Sequence, residues 1–156
     1  MRNMYTAEVS VDIAAPPERV YDYLSDLSRH AEWSSSVTTI EQLTPGPASV
    51  GTEFKASEII PRKFTSFARI TALEPPRRIG WEATDHRVFK TQWEFELSPS
   101  GGGTHLIQRV RFQALNLPSV LLLNWVRRPK VPAENRQSLE RIKTILEAQA
   151  RGSSYQ

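Results

Sequence analysis

Cysteine is absent from this 156-residue sequence, and histidine is scarce, with three residues. The lack of cysteine excludes disulfide bonds, thiol catalysis and cysteine-ligated metal sites. It also suits a reducing compartment, and on this ground we expect a cytoplasmic protein. We also expect it to be bacterial. The histidines show neither HxH nor HxxxH spacing, so we expect no metal site.

Long apolar runs are also missing. No run approaches the roughly 18–20 residues that a membrane-spanning helix needs, and we find no signal-peptide pattern. The net charge of +3 comes with both signs interspersed, which does not fit a nucleic-acid surface. GxGxxG, P-loop and GxSxG motifs do not occur. We therefore expect no cofactor, no nucleic-acid partner and no stable insertion into a membrane.

What the sequence does contain is alternation of apolar and polar residues, which predicts β-strands joined by short turns. Such turns imply antiparallel pairing. We expect one α+β domain over residues 1–156, with an ordered core at about 4–150 and a disordered tail at 151–156. The predicted strands are Tyr5–Ala14, Val37–Leu43, Gly51–Ile60, Phe64–Leu73, Arg78–Thr84, Phe89–Leu97 and Thr104–Phe112, with turns at Pro61 and Asp85-His86-Arg87 and a hairpin loop at Pro99–Gly103.

Three stretches of the sequence are predicted to be helical. Two short helices are predicted between Pro17 and Trp33, with His30 as a candidate cap. The segment Leu117–Val126 is apolar on nearly every side, so something must cover it. We expect Pro129 and Pro132 to break or kink it away from the next helix.

The last helix, predicted at Val131–Ala150 with Gly152 as its stop, carries two kinds of residue on one face. Its distal half presents a helical apolar stripe. Its proximal half places Asn135 and Ser138 on that same side. Burying an unpartnered amide costs about 1–3 kcal/mol. We therefore predict that the distal half is core, whereas the proximal half lines a hollow.

Three stretches in this order resemble the START-type helix-grip superfamily, also called SRPBCC. They are Ile13–Tyr21 followed by Leu24–Leu27 with Trp33 further on, Ile70–Trp81, and Gly103–Leu106 with Leu139–Lys143. The sequence looks closest to the polyketide cyclase/dehydrase and lipid-transport group. This resemblance implies a curved six- or seven-stranded antiparallel sheet around the long C-terminal helix, with a deep cavity between them. The segment 117–126 would then cover the cavity mouth.

Three functions are compatible with that fold. The leading one is binding of a hydrophobic or aromatic small molecule, lipid- or polyketide-like, for transport or sequestration. The second is a polyketide cyclase or dehydratase that uses the same cavity. No arginine points inward from the middle strands, which disfavours this enzyme. The third is protein interaction or dimerisation through segment 117–126. A monomer and a homodimer are both compatible with the sequence.

Inward-facing polar residues and aromatic residues are the candidate site. Glu58 is the candidate catalytic base, because burial would raise the pKa of its carboxyl. The alternative is a carboxylate near a bulge, exposed to water or paired with Arg62 or Lys63. Trp81 and Phe95 are also explained as ordinary core. The candidate ligand-binding residues are Trp33, Phe54, Ser66, Trp81, Phe89, Trp93, Gln108, Trp125, Asn135 and Ser138.

Overall fold

Within the residues that the computed structural model describes, 2–59, 63–85 and 88–153, seven strands form one antiparallel sheet. Their order across the sheet is β1-β7-β6-β5-β4-β3-β2. This confirms the predicted helix-grip arrangement. The strands are β1 Met4–Ile13, β2 Val37–Gln42, β3 Glu53–Glu58, β4 Phe64–Glu74, β5 Arg78–Asp85, β6 Phe89–Ser100 and β7 Gly103–Ala114.

The connection from β1 to β2 is helical, as predicted. It contains α1 (Pro17–Ser25), a 3₁₀ turn (Leu27–Arg29) and α2 (His30–Trp33). Pro17 opens α1, where its missing N–H costs nothing. Asp26 caps the 3₁₀ turn by accepting a hydrogen bond from the Ser28 backbone N–H at 3.1 Å. His30 is the C-cap residue at the other end of the same turn, where its backbone N–H donates to the Leu27 carbonyl.

The prediction that Pro129 and Pro132 separate two helices is wrong. α3 (Leu117–Leu122), a π-helical turn (Leu123–Arg127) and α4 (Arg128–Ser153) follow one another without a break. In the π turn, the Arg128 backbone N–H bonds to the carbonyl of Leu123. A π turn widens the helix. Here it lies just before Pro129, so the hydrogen-bond pattern changes there without ending the helix. α4 also continues past Gly152, the predicted stop, to Ser153. A Cβ atom at position 152 would have no neighbour within 4 Å.

The hairpin between β6 and β7 is tighter than the predicted loop Pro99–Gly103. Only Gly101 and Gly102 lie between the strands, and both have positive φ values, 55° and 83°. Two consecutive residues in this region allow a two-residue turn whose twist matches the strands. Pro99 consequently remains in register, opposite Thr104.

Other boundary differences lie at strand ends, where sequence patterns are least informative. β2 stops at Gln42 and β3 starts at Glu53, so the predicted strand Gly51–Ile60 is too long. Ile60, the predicted turns at Pro61 and Asp85-His86-Arg87, and part of the predicted tail lie wholly or partly outside the described residues. Among the described residues, no helix combines the length and apolar character needed to cross a bilayer.

The distal half of α4 is held against the end of β1. Leu139, Ile142 and Leu146 are fully buried in the larger of the two apolar clusters. Lys143 Nζ donates to the Asp12 carbonyl at 2.6 Å, and Glu147 Oε2 accepts from the Ala14 N–H at 2.8 Å. Apolar burial and these two backbone contacts fix the axis of the helix relative to the sheet.

We expect Leu139→Ala or Ile142→Ala to lower the free energy of unfolding by about 2–5 kcal/mol, since each leaves a void in solid core. Asn135→Ala should cost far less, because Asn135 stands at a cavity and its amide nitrogen has no protein partner among the described residues. Urea unfolding of the three variants measures the difference. Equal losses at all three positions would show that the proximal half of α4 is packed like the distal half.

Candidate functional site

The concave face of the sheet and the proximal half of α4 enclose a cavity of about 310 Å³. Its volume lies at the lower end of the range for small-molecule sites. Its walls come from α2, the strands β2–β7, the π turn and α4. Glu58 and nine of the ten predicted ligand-binding residues line it: Trp33, Phe54, Ser66, Trp81, Phe89, Trp93, Gln108, Asn135 and Ser138.

Trp125, the tenth, is not among the residues that line the cavity, so the structure does not bring it to the predicted site. Its side chain is 73% exposed and lies with Leu117 and Leu121 along the outer side of the helix. Leu122 and Arg127 face the cavity instead. Segment 117–126 therefore contributes Leu122 to the cavity wall and exposes an apolar face elsewhere. Its uniformly apolar sequence gives no signal for which residues face inward.

Aromatic rings make up much of the cavity wall. Trp81 and Trp93 stack at 6.3 Å between ring centroids, and Trp93 meets Phe112 edge-on at 6.2 Å. Phe95 is fully buried beneath Trp81 and does not line the cavity. The core interpretation therefore holds for Phe95, whereas Trp81 belongs to both the core and the wall.

Glu58 is held inside the cavity by two serines. Ser66 Oγ donates to one carboxylate oxygen at 2.6 Å, and Ser36 Oγ donates to the other at 3.2 Å. Strand register explains this, because Glu58 pairs with Phe64 and is therefore a diagonal neighbour of Ser66. A register shift in β2 at Val37, opposite Glu58, adds an irregularity there.

Burial raises the pKa of Glu58 above its ordinary value, while hydrogen bonds from Ser66 and Ser36 and the positive charge of Arg127 partly oppose this. The alternative in which Glu58 points to water is not what the structure shows. Of its two suggested partners, Arg62 lies outside the described residues, and no ion pair joins Glu58 to Lys63 in the described part of the chain. A desolvated carboxyl with a raised pKa in a cavity is a candidate for proton transfer to or from a ligand.

His30 is a site residue that the sequence interpretation missed. Its ring lies 4.3 Å from Trp33 and 4.9 Å from Trp81, between centroids, and it lines the cavity. Complete burial lowers the pKa of His30 to about 3, so the ring is neutral at physiological pH. The spacing of three residues to Trp33 on one short helix is the signal that could have identified it.

Polar atoms without protein partners are concentrated at this cavity. Five such buried atoms among the described residues belong to side chains that line it. Each unsatisfied buried group costs about 1–3 kcal/mol. A hydrogen bond from solvent or from a ligand would offset that cost, so these side chains are the candidate polar contacts for the contents of the cavity. The atoms are His30 Nδ1, Trp33 Nε1, Thr91 Oγ1, Gln108 Oε1 and Asn135 Nδ2.

An ion pair that the sequence interpretation did not anticipate also lines the cavity. Arg127, the last residue of the π turn, donates to Glu134 through two nitrogens, at 3.2 and 2.9 Å. The two residues are seven apart, which places them on one helical face two turns from each other. The sequence contains no inward arginine on the middle strands, but the helix supplies one from the opposite wall.

Sequence comparison identifies one family. The profile described as "Polyketide cyclase / dehydrase and lipid transport" matches residues 4–147. No curated protein matches the chain in sequence.

Solved structures with the same fold are numerous. Ara h 8.0201 has a TM-score of 0.69 at 14% identity, with 93% of this chain and 99% of that chain covered. A protein from Chromobacterium violaceum has a TM-score of 0.67 at 20% identity, with 92% and 98% covered. The di-domain ARO/CYC protein StfQ of the steffimycin biosynthetic pathway has a TM-score of 0.74 at 16% identity, with 94% and 52% covered. At these identities the similarity shows the fold alone.

The buried neutral His30 predicts a pH dependence of stability. Its folded pKa of about 3 lies below the ordinary 6.5, so only the unfolded state takes up a proton between these values. Stability is therefore full above pH 6.5 and falls as the pH drops toward 3, by up to roughly 4 kcal/mol. His30→Phe should remove this loss. Urea unfolding of both proteins across this window tests it, and parallel pH curves would contradict it.

Glu58 predicts that folding stability changes with pH in the opposite direction. Because its folded pKa is raised from 4.5, the stability it contributes is full below 4.5 and is lost as the pH rises through the folded pKa. Glu58→Gln should therefore become progressively more stable than the wild type from acid to neutral pH. The difference between their unfolding free energies isolates this group, and a difference that did not vary with pH would show that Glu58 is solvated.

Proposed function

Because this chain belongs to the polyketide cyclase/dehydrase and lipid transport family, we propose that it binds a hydrophobic or aromatic small molecule in the cavity between the sheet and α4. Transport or sequestration of a lipid- or polyketide-like compound is the function that this binding would serve.

The cavity wall is the observation that supports the proposal. It combines stacked aromatic rings with a few inward polar atoms that have no protein partner among the described residues. Rings provide area for apolar contact, whereas isolated polar atoms set the orientation of a ligand. A domain that needed only a packed core would leave neither the space nor the unpaired atoms, since both reduce stability.

A cyclase or dehydratase acting on a polyketide-like substrate is the second candidate, and Glu58 favours it. Such chemistry requires proton transfer at a carbon next to a carbonyl. Glu58 is the carboxyl that faces the cavity with a raised pKa, and two serines fix its position. Gln108 and Asn135 line the same cavity of about 310 Å³, which leaves space for a substrate beside Glu58. The similarity of fold to StfQ is consistent with a cavity at this place, but it does not indicate which reaction takes place there.

Filling the cavity tests the binding proposal. Ser138 is buried on the α4 wall, so Ser138→Trp should occupy the space and weaken binding of an environment-sensitive hydrophobic dye by at least about tenfold. Gln137→Trp is the matched control, because the neighbouring side chain is exposed and should leave binding unchanged. Fluorescence titration gives the affinities, and thermal melts verify folding. If the folded Ser138→Trp protein bound dye as well as the wild type, the dye site would be elsewhere.

Proton exchange tests the enzymatic candidate. We expect the wild type to accelerate deuterium incorporation from D₂O into the carbon next to the carbonyl of 2-tetralone, a neutral aromatic ketone, as measured by NMR. Glu58→Gln should lose about 10²–10⁴-fold of that acceleration while retaining dye binding. Equal rates with and without wild-type protein, under conditions where the ketone is bound, would reject Glu58 as a base and leave binding as the function.

A further inference from the structure

Few ionisable side chains line the cavity. Among the described residues that line it, four are titratable: His30, Glu58, Arg127 and Glu134. His30 is neutral, as shown above. Arg127 is consequently the single cation among them, and it is the side chain with which an anionic ligand could form an ion pair.

Arg127 is already occupied by Glu134. The two bonds at 3.2 and 2.9 Å join the guanidinium fork to both carboxylate oxygens. The side chains are 12% and 19% exposed, respectively, so the pair is screened less than a surface pair. The guanidinium also lies over the Phe112 ring, 5.8 Å from its centroid. The two parallel hydrogen bonds and this ring contact hold the guanidinium in the orientation that bonds to Glu134.

A carboxylate ligand therefore meets an unfavourable site. To take the two N–H groups that bind Glu134, it must displace that carboxylate and leave it unpaired in a poorly hydrated place, which is costly. It would also approach Glu58, which lies close enough to feel the charge of Arg127. Like charges at close range in such surroundings repel strongly.

An uncharged oxygen meets suitable partners instead. Trp33 Nε1 and Asn135 Nδ2 offer N–H donors, and Gln108 Oε1 offers an acceptor, all buried and without protein partners in the described part of the chain. Carbonyl and hydroxyl groups on an aromatic or otherwise apolar skeleton can use them without displacing an ion pair.

We propose that the cavity selects uncharged, oxygen-bearing apolar ligands over carboxylates, and that Glu134 is the residue that determines this selectivity by neutralising Arg127 from within. The proposal rests on the proposed binding function and narrows it. Free fatty acids and other apolar acids are poor ligands, whereas their esters, alcohols and ketone analogues are good ones.

Three probes of similar shape test it: 2-naphthol, methyl 2-naphthoate and 2-naphthoate, titrated at neutral pH by calorimetry. The ester and the acid share one ring system and differ in charge. For the wild type we expect both neutral probes to bind at least about tenfold more tightly than 2-naphthoate. This comparison needs no variant, so it holds even if a substitution at the ion pair impairs folding.

Glu134→Gln keeps the shape of the side chain and releases Arg127. We expect it to strengthen 2-naphthoate binding by at least about tenfold and to change binding of the ester by less than about threefold. Glu140→Gln is the matched control, an exposed carboxylate on the same helix whose loss changes the net charge equally. Adding Arg127→Gln to Glu134→Gln should abolish the gain, which would identify Arg127 as the anion site.

The outcomes separate this proposal from the one on which it rests. If no probe binds the wild type, the proposed binding function itself fails. If the neutral and anionic probes bind the wild type equally well, binding stands and charge selectivity is wrong. If Glu134→Gln and Glu140→Gln strengthen 2-naphthoate binding equally, the effect is one of overall charge and Glu134 does not determine selectivity.

Discussion

The anchoring of the distal half of α4 to the end of β1 is the constraint on which the cavity depends. Leu139, Ile142 and Leu146 fill solid core, and Lys143 and Glu147 bind backbone groups at Asp12 and Ala14. Gly103 permits the close approach of the neighbouring strand, because a Cβ there would lie 2.3 Å from the Ile13 carbonyl oxygen. With one end fixed in this way, the proximal half of the helix is held away from a curved sheet, and the space between them is the cavity.

Several groups that line the cavity lower the free energy of unfolding, to which this anchoring contributes. Unpaired polar atoms, a desolvated carboxyl and a buried neutral histidine each favour the unfolded chain. Such groups are expected where binding or catalysis requires them, and the surrounding structure compensates for their cost. Their concentration at one cavity, opposite a well-packed half-helix, argues that the cavity is functional and is not a packing defect.

Alternation along the strands and the mixed face of the last helix were sufficient to predict the sheet, the helix and most of the wall. Asn135 and Ser138 lie at the cavity because helical geometry puts them in line with core residues. The rest depends on details that local patterns do not encode. Trp125 is exposed and Arg127 lines the cavity, a result that depends on the π turn and on how the helix docks on the sheet. The Glu58–Ser66 contact depends on strand register. The burial of His30 depends on how a one-turn helix docks against Trp81.

An NMR titration with 2-naphthol, following the four tryptophan indole N–H signals, would test whether this cavity is the binding site. Single Trp→Phe variants assign the signals. The Trp33 Nε1–H is buried at the cavity without a protein partner among the described residues, whereas Trp125 is exposed outside it. If the ligand enters the cavity, the Trp33 signal shifts with saturation and the Trp125 signal stays in place. A saturable shift of Trp125 with an unchanged Trp33 would place the ligand on the outer face of the helix and contradict the cavity as its site.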